Sequence, residues 1–433
     1  MSMTRRRFAN TYALGLAASS TAVGAGAPDT PFPKGFLWGA ATAAHQVEGN
    51  NVNSDTWVLE HVQPTIFAEP SGDACDHYHR YADDIRLLAR LGFNTYRFSI
   101  EWARIEPERG FYSRAEIDHY RRVLATCHEN NVKPMVTFHH FTCPRWFAGM
   151  GGWENPDAAG LFTRYCERAS SHLGDLISAA TTFNEPNLAM LLRWMPFDLG
   201  GDAAAGMTRA AARGIGSDKF SWFLGGEAKR QQEHMLAAHE RAFTAIKASA
   251  GKAPVGVNLA MSDDQAAGAE SGRDRKREEA YGLWLRAAAK SDFVGVQCYT
   301  RARVGRDKDL PAEQGVEVTQ MGYEFWPEAL EQTIRYAAAQ TKVPVYVTEN
   351  GIGTEDDTRR IEYIRRALAG VRNCLRDGID VRGYIHWSLM DNFEWTMGYR
   401  PKFGLLAVNR ETQERRPKPS AAFLGEMARR NKI

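Results

Sequence analysis

No two cysteines in this 433-residue chain have the CxxC spacing used by zinc sites and redox motifs. The six stand singly at 75, 127, 143, 166, 298 and 374. They signal no metal site and dictate no disulfide framework, so buried free thiols are expected. Charge of one sign is missing too. Lys and Arg number 54 against 52 Asp and Glu, a net of +2. That balance gives no electrostatic footprint for nucleic acid or an anionic membrane. No run is long and apolar enough to span a bilayer. No glycine-rich phosphate loop follows the first strand-like run, which argues against a doubly wound nucleotide-binding sheet. What remains is a globular composition, 44% hydrophobic and 24% charged, which excludes wholesale disorder. Aromatic residues reach 11%, with 11 Trp. Flat rings suit a core and the faces of sugars equally, so composition does not choose between them.

The first residues stand apart. Thr4-Arg5-Arg6-Arg7-Phe8 reads as a twin-arginine export motif, and a weakly apolar stretch rich in Ala, Gly and Ser follows over 12–23. A basic start, a short apolar centre and a small-residue exit at Ala25-Gly26-Ala27 make a signal peptide pattern over 1–27. Pro28 sits awkwardly after that exit, so the cleavage position stays open. A periplasmic or secreted location is expected. A twin-arginine substrate folds before export in a reducing compartment, which fits cysteines that stay unpaired.

Beyond residue 36, short strand-like runs alternate with helical patterns. The strand candidates are 36–41, 94–99, 133–138, 180–184, 254–259, 293–298, 344–348 and 382–386. Most are apolar or β-branched and bounded by Gly, Pro, Asn or Asp. Between them, Tyr78, Tyr81, Ile85 and Leu88 share one helical face. Ser113 and Glu116 have capping-box spacing, and 233–249 and 357–374 read as helices. Eight βα units predict an α/β protein: a single (β/α)8 TIM barrel with loop insertions over 31–430. The Gly- and Ala-rich segment 200–226 reads as a long surface loop after the fourth strand.

Chemistry in such a barrel belongs at the C-terminal ends of the strands. Two glutamates end strand candidates there: Glu185 in Thr182-Phe183-Asn184-Glu185-Pro186-Asn187, and Glu349 in Tyr346-Val347-Thr348-Glu349-Asn350-Gly351. One such carboxylate is most often a solvated loop residue. Two, on the fourth and seventh strands, face each other across the mouth. Paired carboxylates flanking one bond are the machinery of glycoside hydrolysis.

From about residue 31 to 425 the chain resembles glycoside hydrolase family 1, the β-glucosidase and β-galactosidase group. The resemblance rests on the segments around Phe36-Leu37-Trp38-Gly39, His45-Gln46-Val47-Glu48-Gly49, Arg97-Phe98-Ser99-Ile100-Glu101-Trp102, Asn184-Glu185-Pro186-Asn187, Thr348-Glu349-Asn350-Gly351 and Trp387 to Trp395. It implies a retaining exo-β-glucosidase without metal or cofactor, acting on a small carbohydrate or β-glucoside. Glu185 matches the acid/base and Glu349 the nucleophile. Asn184 matches the residue on the sugar 2-hydroxyl. Gln46, His140 and Glu394 match the groups on the other hydroxyls, Trp387 the platform under the ring, and Trp395 a second wall. Arg97 and Tyr299 match residues that bond the nucleophile and keep it ionised. The same glutamates would also serve a transglycosylase, whereas a non-catalytic sugar-binding protein would lack one of them. His45, His139 and Trp38 read as structural, because adjacent strand residues such as His139 and His140 face opposite ways.

The chain departs from the family pattern in three places. Gln297-Cys298-Tyr299 stands where Asn-Tyr-Tyr is usual, so the surroundings of Glu349 differ. Phe141 follows His140 where Trp is common, and Tyr323 stands where a Trp often meets the leaving group. Glu394-Trp395 is intact, and an anionic Glu394 would repel a sugar phosphate, so neutral sugars are expected.

Overall fold

Eight short β-rich runs do close on themselves. The computed structural model describes residues 31–196 and 201–433; the expected signal segment, 1–27, lies outside the described residues. Strands β1 (Leu37–Ala41), β2 (Thr95–Ser99), β3 (Lys133–His139), β4 (Ala179–Asn184), β5 (Val255–Ala260), β6 (Phe293–Gln297), β7 (Val345–Asn350) and β8 (Val381–Trp387) form a closed barrel. Every pairing is parallel, and β1 closes the ring against both β2 and β8. All eight sequence candidates lie within two residues of the observed strands. Among the described residues no helix is long and apolar enough to cross a membrane.

Helices return each strand to the bottom of the barrel. His77–Leu91 buries Ile85 and Leu88 and leaves Tyr78 and Tyr81 half-buried. It stops at Gly92, whose φ of 104° only glycine adopts without strain, and whose N–H reaches Ala89 and Leu88 oxygens. Arg114–Glu129 starts at Ser113, whose Oγ accepts from the Glu116 amide at 3.3 Å. The reciprocal half of the expected capping box is absent. The Ser113 N–H is already donated to Ile105 O at 2.8 Å, and the Glu116 carboxylate instead accepts from Tyr78 OH at 3.0 Å.

The segment 200–226 is not a plain loop. It carries a helix, Gly201–Gly214, that buries Met207, Ala210 and Ala211. Met207 and Ala211 pack with Leu59, Phe67, Ala148, Phe220 and Phe393 in a separate apolar cluster. Its alanines favour helix, and the spacing of Met207, Ala210 and Ala211 gives it one apolar face. The glycine content of the segment masked that pattern.

Two kinds of core hold the barrel. The larger lies between strands and helices. A smaller one, with Leu37, Met135, Ala179, Phe293, Tyr346 and Ile385, plugs the barrel low down. Above it the interior turns polar. Thr137 and Thr181 hydroxyls meet at 2.9 Å, and Asn258 Nδ2 donates to Thr181 Oγ1 at 3.1 Å. Gly295 makes room for this tier: a Cβ there would lie 2.1 Å from Asn258 Oδ1 and 2.8 Å from Thr348 Oγ1. All six cysteines are free and buried.

Gly295→Ala is therefore expected to destabilise the fold by about 1–3 kcal/mol. Denaturant unfolding reads this directly, and an unchanged midpoint would show that the polar tier yields to a methyl group at no cost.

Candidate active site

The strands deliver the acidic residues to one end, and breaks in their pairing set the aim. Register shifts interrupt the β4–β5 pairing between Thr181 and Asn184 and the β6–β7 pairing between Val296 and Gln297. Such irregularities re-aim side chains at barrel rims. Asn184 is the last residue of β4, and Glu185 follows it at φ 45°. Glu349 is the penultimate residue of β7, its Cα opposite that of Gln297. Each glutamate precedes a buried asparagine that ties its loop to the next strand. Asn187 exchanges two bonds with Ala260, Nδ2 to O at 2.7 Å and N to Oδ1 at 3.0 Å. Asn350 Nδ2 donates to Cys298 O at 2.6 Å, and its Oδ1 accepts from Tyr384 OH at 2.9 Å. Sequence reasoning saw these two only as turn residues.

Arg97 is the hub. It is 1% exposed, yet its donors are occupied. Nη1 reaches Glu349 Oε1 at 2.5 Å and Thr348 O at 3.2 Å; Nη2 reaches Asn184 Oδ1 at 2.6 Å; Nε reaches Thr137 Oγ1 at 3.3 Å. Glu349 takes two further donors, Tyr299 OH on Oε2 at 2.5 Å and Gln297 Nε2 on Oε1 at 2.9 Å. Gln297 is a site residue that the sequence flagged only as a departure. Its partners required the fold to be seen.

The two glutamates are treated unequally. Among the described residues nothing donates to the Glu185 carboxyl. Burial, then the Glu349 charge, then Glu394 lift its pKa well above the ordinary carboxylate range. Glu349 is lifted by burial and pulled back by Arg97, Tyr299 and Gln297. Arg97 does favour the anion, as the sequence implied, but burial outweighs it and the net shift is upward. Donors on one carboxyl and none on the other leave Glu349 the first to ionise and Glu185 the holder of the proton.

The remaining candidates gather around this pair. His140 Nε2 lies 3.1 Å from Asn184 Nδ2, and its ring stacks with Trp387 at 5.7 Å and Trp395 at 6.2 Å. Arg97 can only donate, so Asn184 Oδ1 accepts from it and Nδ2 must donate to His140, leaving that ring neutral with its proton on Nδ1. Burial likewise lowers its pKa. His139 points elsewhere, edge-on to Trp153 and Phe183. Gln46 is fully buried and donates to Phe393 O at 2.7 Å, while its Oε1 has no partner. Trp395 stacks on His45 at 5.7 Å, which in turn meets Glu60 at 2.8 Å. Phe141 packs edge-on to Trp395 at 5.2 Å and stacks with Phe223 at 4.9 Å. Tyr323 is half-buried, and the charges of Glu394 and Glu185 both act on its hydroxyl. Among the described residues no group of His, Cys, Asp and Glu is arranged to hold a metal.

Glu394 differs from expectation. Burial and the Glu349 charge push its carboxyl up to about 8, against weaker pulls from Trp387 and Gln46. At neutral pH the protonated form is therefore favoured over the anion. A folded-state pKa above the ordinary 4.5 means that folding favours the protonated form, so stability falls as pH rises from about 4.5 through about 8. Glu394→Gln is therefore expected to raise the melting temperature at pH 9 relative to the parent, and to do so much less at pH 5. A difference that does not change with pH would mean the group ionises freely in the folded protein.

The comparisons with known proteins point to one family. The family model described as glycosyl hydrolase family 1 matches residues 29–296 and 288–433. The β-glucosidase of Agrobacterium sp. is 32% identical over 444 residues, covering 92% of this chain and 95% of its own. β-Glucosidase A of Acetivibrio thermocellus is 29% identical over 460 residues, covering 92% and 98%. A solved apo β-glucosidase, 1317, superposes with a TM-score of 0.90 at 54% identity, over 92% of this chain and 99% of that one. With a parallel eight-stranded barrel, two buried glutamates at its mouth and a family match along nearly its whole described length, the chain belongs to glycosyl hydrolase family 1.

Proposed function

We propose that the protein is a retaining exo-β-glucosidase that removes the terminal non-reducing β-D-glucosyl residue of short β-glucosides. One observation carries the reading: of two buried carboxyls at one mouth, Glu349 holds three donors and Glu185 none. Glu349, the anion, attacks the anomeric carbon. Glu185, the acid, protonates the departing oxygen. The ester that forms on Glu349 removes its charge, and with it one of the forces holding Glu185's proton. Glu185 then serves as the base for water.

Asn184 supports the sugar reading through the donor it has left. Its Oδ1 is taken by Arg97 and Gln297, so Nδ2 is the atom offered to a 2-hydroxyl. Gln46 Oε1, buried and unpartnered, is an acceptor for a hydroxyl on the far side. Gln46 is fully buried, so protein and not solvent lies behind that side of the subsite. That supports exo action. The relatives named as β-glucosidases support glucose. Neutral sugars are favoured for a reason other than the charge of Glu394. A sugar phosphate would bring its charge against the anion of Glu349, the carboxyl that ionises first.

Three tests follow the proposal. Glu349→Gly should abolish turnover, with azide restoring part of it, and early product from the parent enzyme should be the β-anomer by proton NMR. Glu185→Ala should spare substrates with good leaving groups far more than those with poor ones, and equal loss on both would overturn its role as acid. In the nitrophenyl series, kcat/KM should fall from β-glucoside to β-galactoside or β-fucoside, with α-glucoside and 6-phospho-β-glucoside inert. A 6-phosphoglucoside cleaved faster than its neutral parent would overturn the subsite reading.

We also propose export by the twin-arginine route, supported by the pattern at Thr4 to Phe8 and by six cysteines that need no oxidising compartment. Lysine at Arg5 and Arg6 should hold the precursor in the cytoplasm, and continued export would overturn this.

A further inference from the structure

The amide of Gln297 divides its two N–H groups between two acceptors, Asn184 Oδ1 at 2.8 Å and Glu349 Oε1 at 2.9 Å. Its orientation follows from Arg97 by a chain of necessity. A guanidinium only donates, so the atom of Asn184 that Arg97 Nη2 meets at 2.6 Å is the oxygen. An atom bonded to that oxygen and to a carboxylate must be the Gln297 nitrogen. The Gln297 oxygen is then left buried with no partner. Leaving a buried acceptor unsatisfied costs free energy, and the side chain accepts that position to place both N–H groups.

The same geometry distinguishes the two oxygens of Glu349. Oε1 accepts from Arg97 and Gln297, which occupies both its lone pairs. Among the described residues Oε2 accepts from Tyr299 OH alone. One lone pair remains free, and it is on Oε2.

We infer that Gln297 is a positioning residue that locks Asn184 with its Nδ2 toward the substrate and reserves Oε1 of Glu349, so that Oε2 is the oxygen that attacks. The inference rests on the reading of Glu349 as nucleophile. In the first step the Oε2 lone pair forms the bond to the anomeric carbon. The glycosidic C–O bond breaks, and its electron pair goes to the leaving oxygen, which takes the Glu185 proton. Oε1 becomes the ester carbonyl and keeps the donors of Arg97 and Gln297. In the second step water adds to the anomeric carbon and gives a proton to Glu185. The bond to Oε2 breaks, and the electron pair returns to a carboxylate already hydrogen-bonded at Oε1. Gln297 therefore assists both steps.

The test is Gln297→Leu, which keeps bulk and removes both donors, beside Gln297→Asn, which keeps an amide. The leucine variant should lose on the order of 10–100-fold in kcat/KM, as expected for a lost hydrogen bond to a charged group. Two readouts separate positioning from mere folding. The acidic limb of kcat/KM should move to higher pH, because the anion of Glu349 has lost a donor. The penalty for deleting the substrate 2-hydroxyl should shrink several-fold, because Asn184 Oδ1 has lost one of its two donors and is held by Arg97 alone. Asn at 297 should restore part of both. Should the leucine variant fail to fold, Gln297→Glu puts a carboxyl in the same volume and should move the acidic limb upward further still. A folded variant that loses activity with the acidic limb and the 2-hydroxyl penalty unchanged would overturn the proposal. Azide rescue of Glu349→Gly in the same assays keeps the two readings apart: rescue without a Gln297 effect sinks only the inference, and absent rescue sinks the nucleophile.

Discussion

A guanidinium that cannot shed its charge sits inside a barrel, and the rest of the site is arranged around satisfying it. Removing Arg97 from water is tolerable only if its donors are used. They are, by a carboxylate, an amide oxygen, a backbone carbonyl and a threonine hydroxyl. Each of those partners is thereby fixed. Glu349 becomes the carboxyl that ionises first, Asn184 has its amide oriented, and Thr137 ties the hub to the polar tier through Thr181 and Asn258. The tier in turn requires a strand position without a side chain, Gly295. Electrostatics at the mouth and steric demands in the barrel interior are one problem with one solution.

That coupling explains which parts could be read from the sequence. The barrel was legible because its strands are short β-rich runs with turn residues at their ends, a local signal. The glutamates were legible because a carboxylate ending an apolar strand is conspicuous. Gln297 was not. Its meaning lies in two bonds to residues more than fifty and more than a hundred positions away, and nothing in its neighbours announces them. The helix Gly201–Gly214 was missed for the opposite reason. Local glycine content argued for loop, while Met207 and Ala211 found a distant apolar cluster that favours helix. The protonation of Glu394 was also out of reach, since it follows from burial beside another carboxylate rather than from residue type.

Backbone strain falls at the same mouth. Glu185, Phe141 and Trp395 all take left-handed φ values of 45°, 72° and 50°, a region that L side chains enter at a cost of order 1–3 kcal/mol each. The structure holds them there from outside. Glu185 donates its N–H to Asn258 O at 2.9 Å and accepts at its carbonyl from Leu188. Phe141 lies against Phe223, and Trp395 against His45. A carboxyl with no donors of its own needs a rigid backbone to stay aimed, and it has one.

The asparagine ties after the glutamates divide the labour between scaffold and loops. Asn187 and Asn350 bond to the ends of neighbouring strands, so each carboxyl is referenced to the barrel and not to the segment that follows it. Beyond Asn187 the chain leads into the inserted helix, whose apolar face rests on a cluster separate from the main core. That cluster includes Phe393, which precedes Glu394 and accepts from Gln46 at 2.7 Å, so the helix reaches the site through this wall and not through the strand ends that carry Glu185 and Glu349. The fold thus divides its tolerances: a change in the inserted helix acts first on the wall around Phe393, while the two strand-end carboxyls keep their reference to the barrel.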